Sequence, residues 1–121
     1  MTDKLDIVGI GNAMVDAIIP SDKDEVEKNN LNRDSMNLID EELKNSLHNN
    51  YSIKEMAGGG SLGNSMFGIT SFGGNGSFIG KIKNDEVGIF LQKDMVREGL
   101  QFPLGFTSPD ISTGCCTIFV E

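Results

Sequence analysis

Glycine is distributed unevenly in this 121-residue chain, and that unevenness limits the possible folds more than any other feature. None occurs between Asn12 and Ala57, and nine then fall between Gly58 and Gly80. In a helix or strand interior glycine costs roughly 0.5–1 kcal/mol relative to alanine. A segment that concentrates it must turn sharply or approach something closely. The cluster opens with Gly58-Gly59-Gly60. Ser61 then predicts the start of a helix containing Met66, Phe67, Ile69, Thr70 and Phe72, stopped by Gly73-Gly74.

The elements around this cluster follow from local pattern. Leu5–Asn12 is β-branched and apolar and predicts a short buried strand ending in Gly-x-Gly-Asn. Ala13–Ile19, interrupted by Asp16 and closed by Pro20, predicts a second extended piece. Ser21–Asn30 is charged and predicts a short solvated helix or turn, with the Ser21 hydroxyl as a cap. Ser35–Ile39 alternates as a strand does. Asp40 suits a helix N-cap ahead of Leu43 and Leu47, and Asn49-Asn50 ends that helix. His48, within it, reads as a solvated surface residue.

Tyr51–Met56 predicts another strand and Ser77–Ile82 a core strand. Asp85 caps a helix through Val87, Phe90, Leu91, Met95 and Val96, stopped by Gly99. Phe102–Phe106 and the apolar run Thr113–Val120 predict two more strands. Helices between strands in the second half favour an α/β chain with a parallel core. The last run meets no turn signal, so the chain reads as the N-terminal part of a longer α/β protein.

Charge narrows the partners. Ten Lys+Arg against 18 Asp+Glu give a net charge of -8. Nucleic acids and anionic membranes attract clustered basic charge, so neither is expected as a partner. A small phosphate ligand remains compatible, since backbone N–H groups can hold it. No apolar run approaches the roughly 18 residues of a spanning helix. Residues 1–20 carry no secretory pattern, and a cytoplasmic location is expected. Cys115 and Cys116 read as buried or half-buried thiols of a strand, because neighbouring cysteines make no disulfide framework. With His48 as the single histidine, set in a polar helical stretch, neither a histidine metal site nor a Ser-His-Asp triad is expected.

Two glycine motifs invite nucleotide readings, and both fail on chemistry. Gly9-Ile10-Gly11 has Met14 where a dinucleotide fingerprint places its third glycine, and an extended segment where that motif needs a helix. Gly58–Ser65 matches the phosphate-loop spacing, but Asn64 stands where a lysine supplies positive charge to the terminal phosphates. What survives is a glycine turn before a helix N-terminus. There the backbone can approach a ligand, and Ser61 and Asn64 can hydrogen-bond sugar hydroxyls. The bland alternative is a flexible loop that merely turns the chain. Asp16 bears on the choice. A carboxylate in an apolar segment either faces water or is held to accept hydrogen bonds from a ligand. Asn12, at the end of the preceding strand, can share that ligand.

Taken together these blocks resemble the PfkB (ribokinase-like) family of carbohydrate and nucleoside kinases. Gly9–Asp16 is similar to the family's opening strand with its substrate-binding Asn and Asp. Gly59-Gly60-Ser61-Leu62-Gly63-Asn64 resembles its Gly-Gly-x-x-x-Asn turn. Phe72-Gly73-Gly74, Phe78–Ile82 and Asn84–Gly88 resemble the rest of its first signature, and Thr113-Gly114 a returning strand of its lid. Gly11–Asp16 and Asp34–Asp40 look most like the adenosine-kinase-like branch. Leu62 and Met66 depart from the pattern, standing where small residues are usual.

The resemblance implies a ribokinase-like α/β fold with a parallel core and a small β-sheet lid. Residues 1–121 would be the N-terminal part of one kinase domain. Lid strands would lie within 13–19, 35–39, 51–57 and 113–120, and core elements around 5–12 and 61–106. It implies an ATP- and Mg²⁺-dependent transfer to a primary hydroxyl of a nucleoside or sugar. Asn12, Asp16 and Asn64 would bind hydroxyls, Gly59 and Gly60 would allow backbone approach, and Met14 would pack on a base or sugar. The family's catalytic Asp belongs to a Gly-Ala-Gly-Asp block, and no such block occurs in these residues, so no catalytic residue is assigned here. A homodimer through the lid is compatible with the same reading. The alternatives are a ribokinase- or fructokinase-type sugar kinase, and a non-catalytic module that binds or dimerises through the lid sheet.

Overall fold

A computed structural model describes residues 4–121. In chain order the elements are β1 (Ile7–Ile10), β2 (Met14–Pro20), α1 (Glu25–Lys28), α2 (Glu41–Asn50), β3 (Glu55–Gly59), α3 (Ser61–Ser71), β4 (Gly76–Ile79), α4 (Glu86–Arg97) and β5 (Gly114–Val120). β1 and β4 form a parallel two-stranded sheet in which Ile7 faces Gly76 and Ile10 faces Ile79. A second sheet has the order β3-β2-β5. The parallel pair confirms the α/β expectation. The chain divides into two compact units, one comprising the chain up to Asp16 with Ala57–Cys116, the other Ala17–Met56 with Thr117–Glu121.

In the first unit the core is built from Val15, Met66, Phe78, Ile82, Val87, Leu91, Met95 and Leu100, all buried. The caps predicted from sequence set the helix limits. The Asp85 carboxylate accepts from Gly88 N–H at 2.7 Å, satisfying an amide that the first turn of α4 leaves open. The same carboxylate accepts from Thr113 N–H at 3.0 Å and from the Thr113 hydroxyl at 2.8 Å, tying the start of α4 to the approach to β5. Gly99 ends the helix at φ +83, a left-handed conformation that glycine adopts without steric cost. α3 begins at Ser61 as expected, and the large residues Leu62 and Met66 do not shift it. They lie on glycines of the first strand segment: a methyl on Gly9 would stand 2.9 Å from Met66 Sδ, and one on Gly11 2.6 Å from Leu62 Cδ2.

Four expectations are corrected here, three in this unit and one, for Tyr51–Met56, in the other. β1 is not a buried strand, because Ile7, Val8 and Ile10 are 41%, 49% and 76% exposed and only Gly9 is buried beneath α3. Phe102–Phe106 is not a strand. Only isolated bridges flank it, Ser77 with Gln101 and Ile82 with Phe106, since Pro103 has no N–H to pair and Gly105 turns the chain at φ +60. Tyr51–Met56 gives way to a strand that starts at Glu55 and runs into the glycine cluster. Cys115 is half-buried as expected, but Cys116 is exposed.

In the second unit Ala17, Ile19 and Leu47 are buried. The Asp40 carboxylate accepts from Leu43 N–H at 2.8 Å and caps α2, as the sequence predicts. Tyr51 packs edge-on against Phe119 at 5.2 Å between ring centres and donates its hydroxyl to Glu25 at 2.6 Å. That bond, and Lys28 after it, hold the Glu25 carboxyl below its usual pKa, while Glu25 pushes the Tyr51 phenol above its own.

Three further expectations fail in this unit. Ser21 does not cap α1, which starts only at Glu25. Its N–H donates to the Val120 carbonyl at 2.8 Å, and its hydroxyl is buried without a hydrogen-bond partner among the described residues. Ser35–Ile39 is not a strand. The Asn37 side chain accepts from Asn32 N–H and donates to the Asn32 carbonyl, both at 3.0 Å, and this local bonding replaces a ladder. His48 is not a solvated residue; it is half-buried and meets the Thr117 hydroxyl at 2.8 Å.

Candidate acceptor site

β2 buries Val15, Ala17 and Ile19 and leaves Met14, Asp16 and Ile18 half-exposed on its other face, as strand alternation requires. Asp16 therefore projects from the open face. Its carboxylate lies directly over Gly59, where a methyl would stand 2.5 Å from Oδ2 and 2.6 Å from Oδ1. Only a residue without a side chain lets the acid sit there. Among the described residues the Asp16 carboxylate makes no hydrogen bond or ion pair.

Gly60 follows at φ +80 and forms the N-cap of α3, with no side-chain cap and no acidic residue in the first turn. The first N–H groups of that helix are thus left uncapped, at the positive end of its dipole. Gly60 also lies beside Met14 and the Asn12 carbonyl, where a methyl would meet them at 3.5 and 3.7 Å. Asn64 lies in the first turn of α3. Its N–H closes that turn on the Gly60 carbonyl at 2.9 Å, and the residue is exposed. The structure thus gathers Asn12, Met14, Asp16, Gly59 and Gly60 at one place and sets Asn64 one turn further along the same helix.

Gly114, part of the Thr113-Gly114 motif, opens β5 against Met14, since a methyl there would lie 2.9 Å from the Ala13 carbonyl oxygen and 3.2 Å from Met14 Cγ. One residue of this region escapes a reading of motifs. Asp94 is buried on α4 and accepts from Gly58 N–H at 3.1 Å. The available signal was its position on the apolar stripe of α4, three residues after Leu91 and beside Met95.

Cys116 lies on β5, and burial, then the Asp16 charge, push its thiol above the ordinary pKa. The raised value leaves less thiolate at pH 8, so Cys116 should alkylate more slowly than a free cysteine despite its exposure. Asp16→Asn removes the nearby charge and should speed the reaction, with burial still slowing it. Mass-mapped iodoacetamide kinetics between pH 7 and 9 check this; equal rates in the two proteins would show that Asp16 does not act on the thiol.

No group of three or more His, Cys, Asp or Glu among the described residues can hold a metal ion. No described helix is long and apolar enough to cross a membrane.

Solved structures that match this chain are adenosine and sugar kinases, and with them it shares the ribokinase-like fold. The crystal structure of adenosine kinase from Sinorhizobium meliloti matches with TM-score 0.79 and 32% identity, over 97% of this chain and 36% of that one. A probable sugar kinase from Rhizobium etli CFN 42 matches with TM-score 0.75 and 29% identity, over 96% of this chain and 35% of that one. Adenosine kinase from Schistosoma mansoni, in complex with adenosine in an occluded loop conformation, matches in fold with TM-score 0.76 and 22% identity, over 94% and 35% of the two chains. The chain thus spans about a third of the length of these solved kinases. No family model matches it, and no curated protein does.

Proposed function

We propose that these residues form the acceptor-binding part of an ATP-dependent kinase that phosphorylates a primary hydroxyl of an adenosine-like nucleoside. The observation that carries this reading is the Asp16 carboxylate, half-buried over Gly59 and unbonded among the described residues. A carboxylate so placed presents free lone pairs to ligand hydroxyls, and a pair of adjacent sugar hydroxyls can satisfy both of its oxygens. Asn12 and Asn64 would add neutral hydrogen bonds. Gly59 and Gly60 let the sugar approach the backbone, and the flexible thioether of Met14 suits the face of a purine ring.

These residues bind and orient; the transfer needs groups they do not supply. ATP would provide the phosphoryl group. Among the described residues no group of three or more His, Cys, Asp or Glu could hold a metal ion, and Gly58–Ser65 has Asn64 where a nucleotide loop has lysine. Asp16 is therefore assigned to the acceptor and not to proton abstraction.

The likeness to a probable sugar kinase keeps a second acceptor class, ribose or fructose, in the same site. A panel of adenosine, guanosine, ribose and fructose with ATP, on the full-length protein, decides between them. Faster turnover of adenosine is expected. Faster turnover of ribose or fructose would move the protein to the sugar branch, and no turnover of any of the four would refute the kinase reading.

A further inference from the structure

We infer that Asp94 is a positioning residue for the acceptor site, holding the glycine turn in the conformation that places Gly59 under Asp16. The inference rests on the acceptor reading above and adds a residue outside the motifs that suggested it. Asp94 is 8% exposed, which is unusual for an acid unless its charge is matched. Its two oxygens are used differently. Oδ1 pairs with the Arg97 guanidinium one turn later on α4, and Oδ2 accepts from Gly58 N–H at 3.1 Å. Arg97, itself mostly exposed, neutralises the buried charge and leaves Oδ2 aimed at the turn.

Gly58 is packed as tightly as it is bonded. A methyl there would stand 2.6 Å from Phe67 Cε2 and 3.1 Å from Asp94 Oδ2. The amide of Gly58 is thus gripped between α4 and the ring of Phe67 on α3. From this anchored point the chain takes two further steps, Gly59 under the Asp16 carboxylate and Gly60 at φ +80 into the helix N-terminus. Three consecutive glycines are the most mobile backbone a chain can have. Gly59 closes β3 beside β2 and Gly60 lies beyond the strand, so without a fixed Gly58 this strand end would fray, and the ligand would have to order it on binding. An anchor at Gly58 removes that cost beforehand, which is preorganisation in the ordinary sense.

Two substitutions in the full-length protein separate this role from general support. Asp94→Ala removes the acceptor of the Gly58 amide. Asp94→Asn keeps an oxygen there and removes the charge shared with Arg97. Calorimetric titration with adenosine should show a dissociation constant raised about tenfold in Asp94→Ala, while ATP affinity stays as in the wild type. Asp94→Asn should restore most of the adenosine affinity.

Amide hydrogen exchange supplies a readout that needs no ligand. Protection at Gly58–Gly60 should fall in Asp94→Ala and persist in Asp94→Asn. Wild-type adenosine binding in folded Asp94→Ala would overturn the inference, as would equal losses for adenosine and ATP. If the wild type binds neither adenosine nor ribose, the acceptor reading falls. Unchanged exchange in Asp94→Ala would then remove the anchor itself, independently of any ligand.

Discussion

Asp16→Ala in the full-length protein should abolish acceptor binding and leave the fold intact. A charge-assisted hydrogen bond contributes roughly 1.5–3 kcal/mol, and a carboxylate that accepts from two hydroxyls contributes more. The expected rise in dissociation constant is therefore about two orders of magnitude or greater. The fold should not suffer, because the carboxylate bonds to no described residue and its removal leaves no described partner unpaired. Thermal unfolding should stay at or above the wild-type midpoint, while titration with adenosine goes flat.

Gly59→Ala is the steric counterpart. It keeps the charge but forces the carboxylate away from a methyl that would otherwise stand 2.5 Å from Oδ2, so it too should weaken the acceptor strongly. Asn64→Ala should cost less, since a neutral hydrogen bond nets about 0.5–1.5 kcal/mol. Unchanged adenosine affinity in Asp16→Ala, with the wild type binding normally, would sink the assignment.

Residues 1–121 expressed alone should show no phosphoryl transfer and no measurable ATP binding. The stretch offers no metal cluster among its described residues and no lysine in its glycine loop. A missing general base by itself costs about 10²–10⁴ in rate, and here the nucleotide site would be lacking too. The isolated stretch should also aggregate. β1 pairs in parallel with β4, yet Val8 and Ile10 remain 49% and 76% exposed, whereas parallel strands are ordinarily covered on both faces. Exposed apolar strands of this kind template association with other chains. Circular dichroism melts, light scattering and an ATP titration on the purified stretch check both parts. A cooperative melt with saturable ATP binding would show that a nucleotide site lies within these residues after all.

Several elements were determined by local chemistry and could be read directly. The caps at Asp40 and Asp85 act within three residues of themselves, so the helices they start needed no tertiary information. The stop at Gly99 is equally local, a left-handed conformation that glycine accepts. The start of α3 after three glycines follows from the same kind of reasoning.

What depended on distant partners could not be read so. Ser35–Ile39 alternates as a strand should, but among the described residues no strand pairs with it, and the Asn32–Asn37 bonds prevail. Leu5–Asn12 is apolar enough for a core strand, yet burial belongs to whatever packs on it, and only Gly9 is covered. The site divides in the same way. Residue types announced a carboxylate and a glycine turn as separate features 43 positions apart, at Asp16 and Gly59. Only the tertiary structure put one on top of the other, because strand pairing in the sheet β3-β2-β5 brings distant residues side by side. Asp94 is the clearest case: its spacing from Leu91 and Met95 marks a buried acid, but the amide that makes the burial tolerable lies 36 residues earlier in the chain.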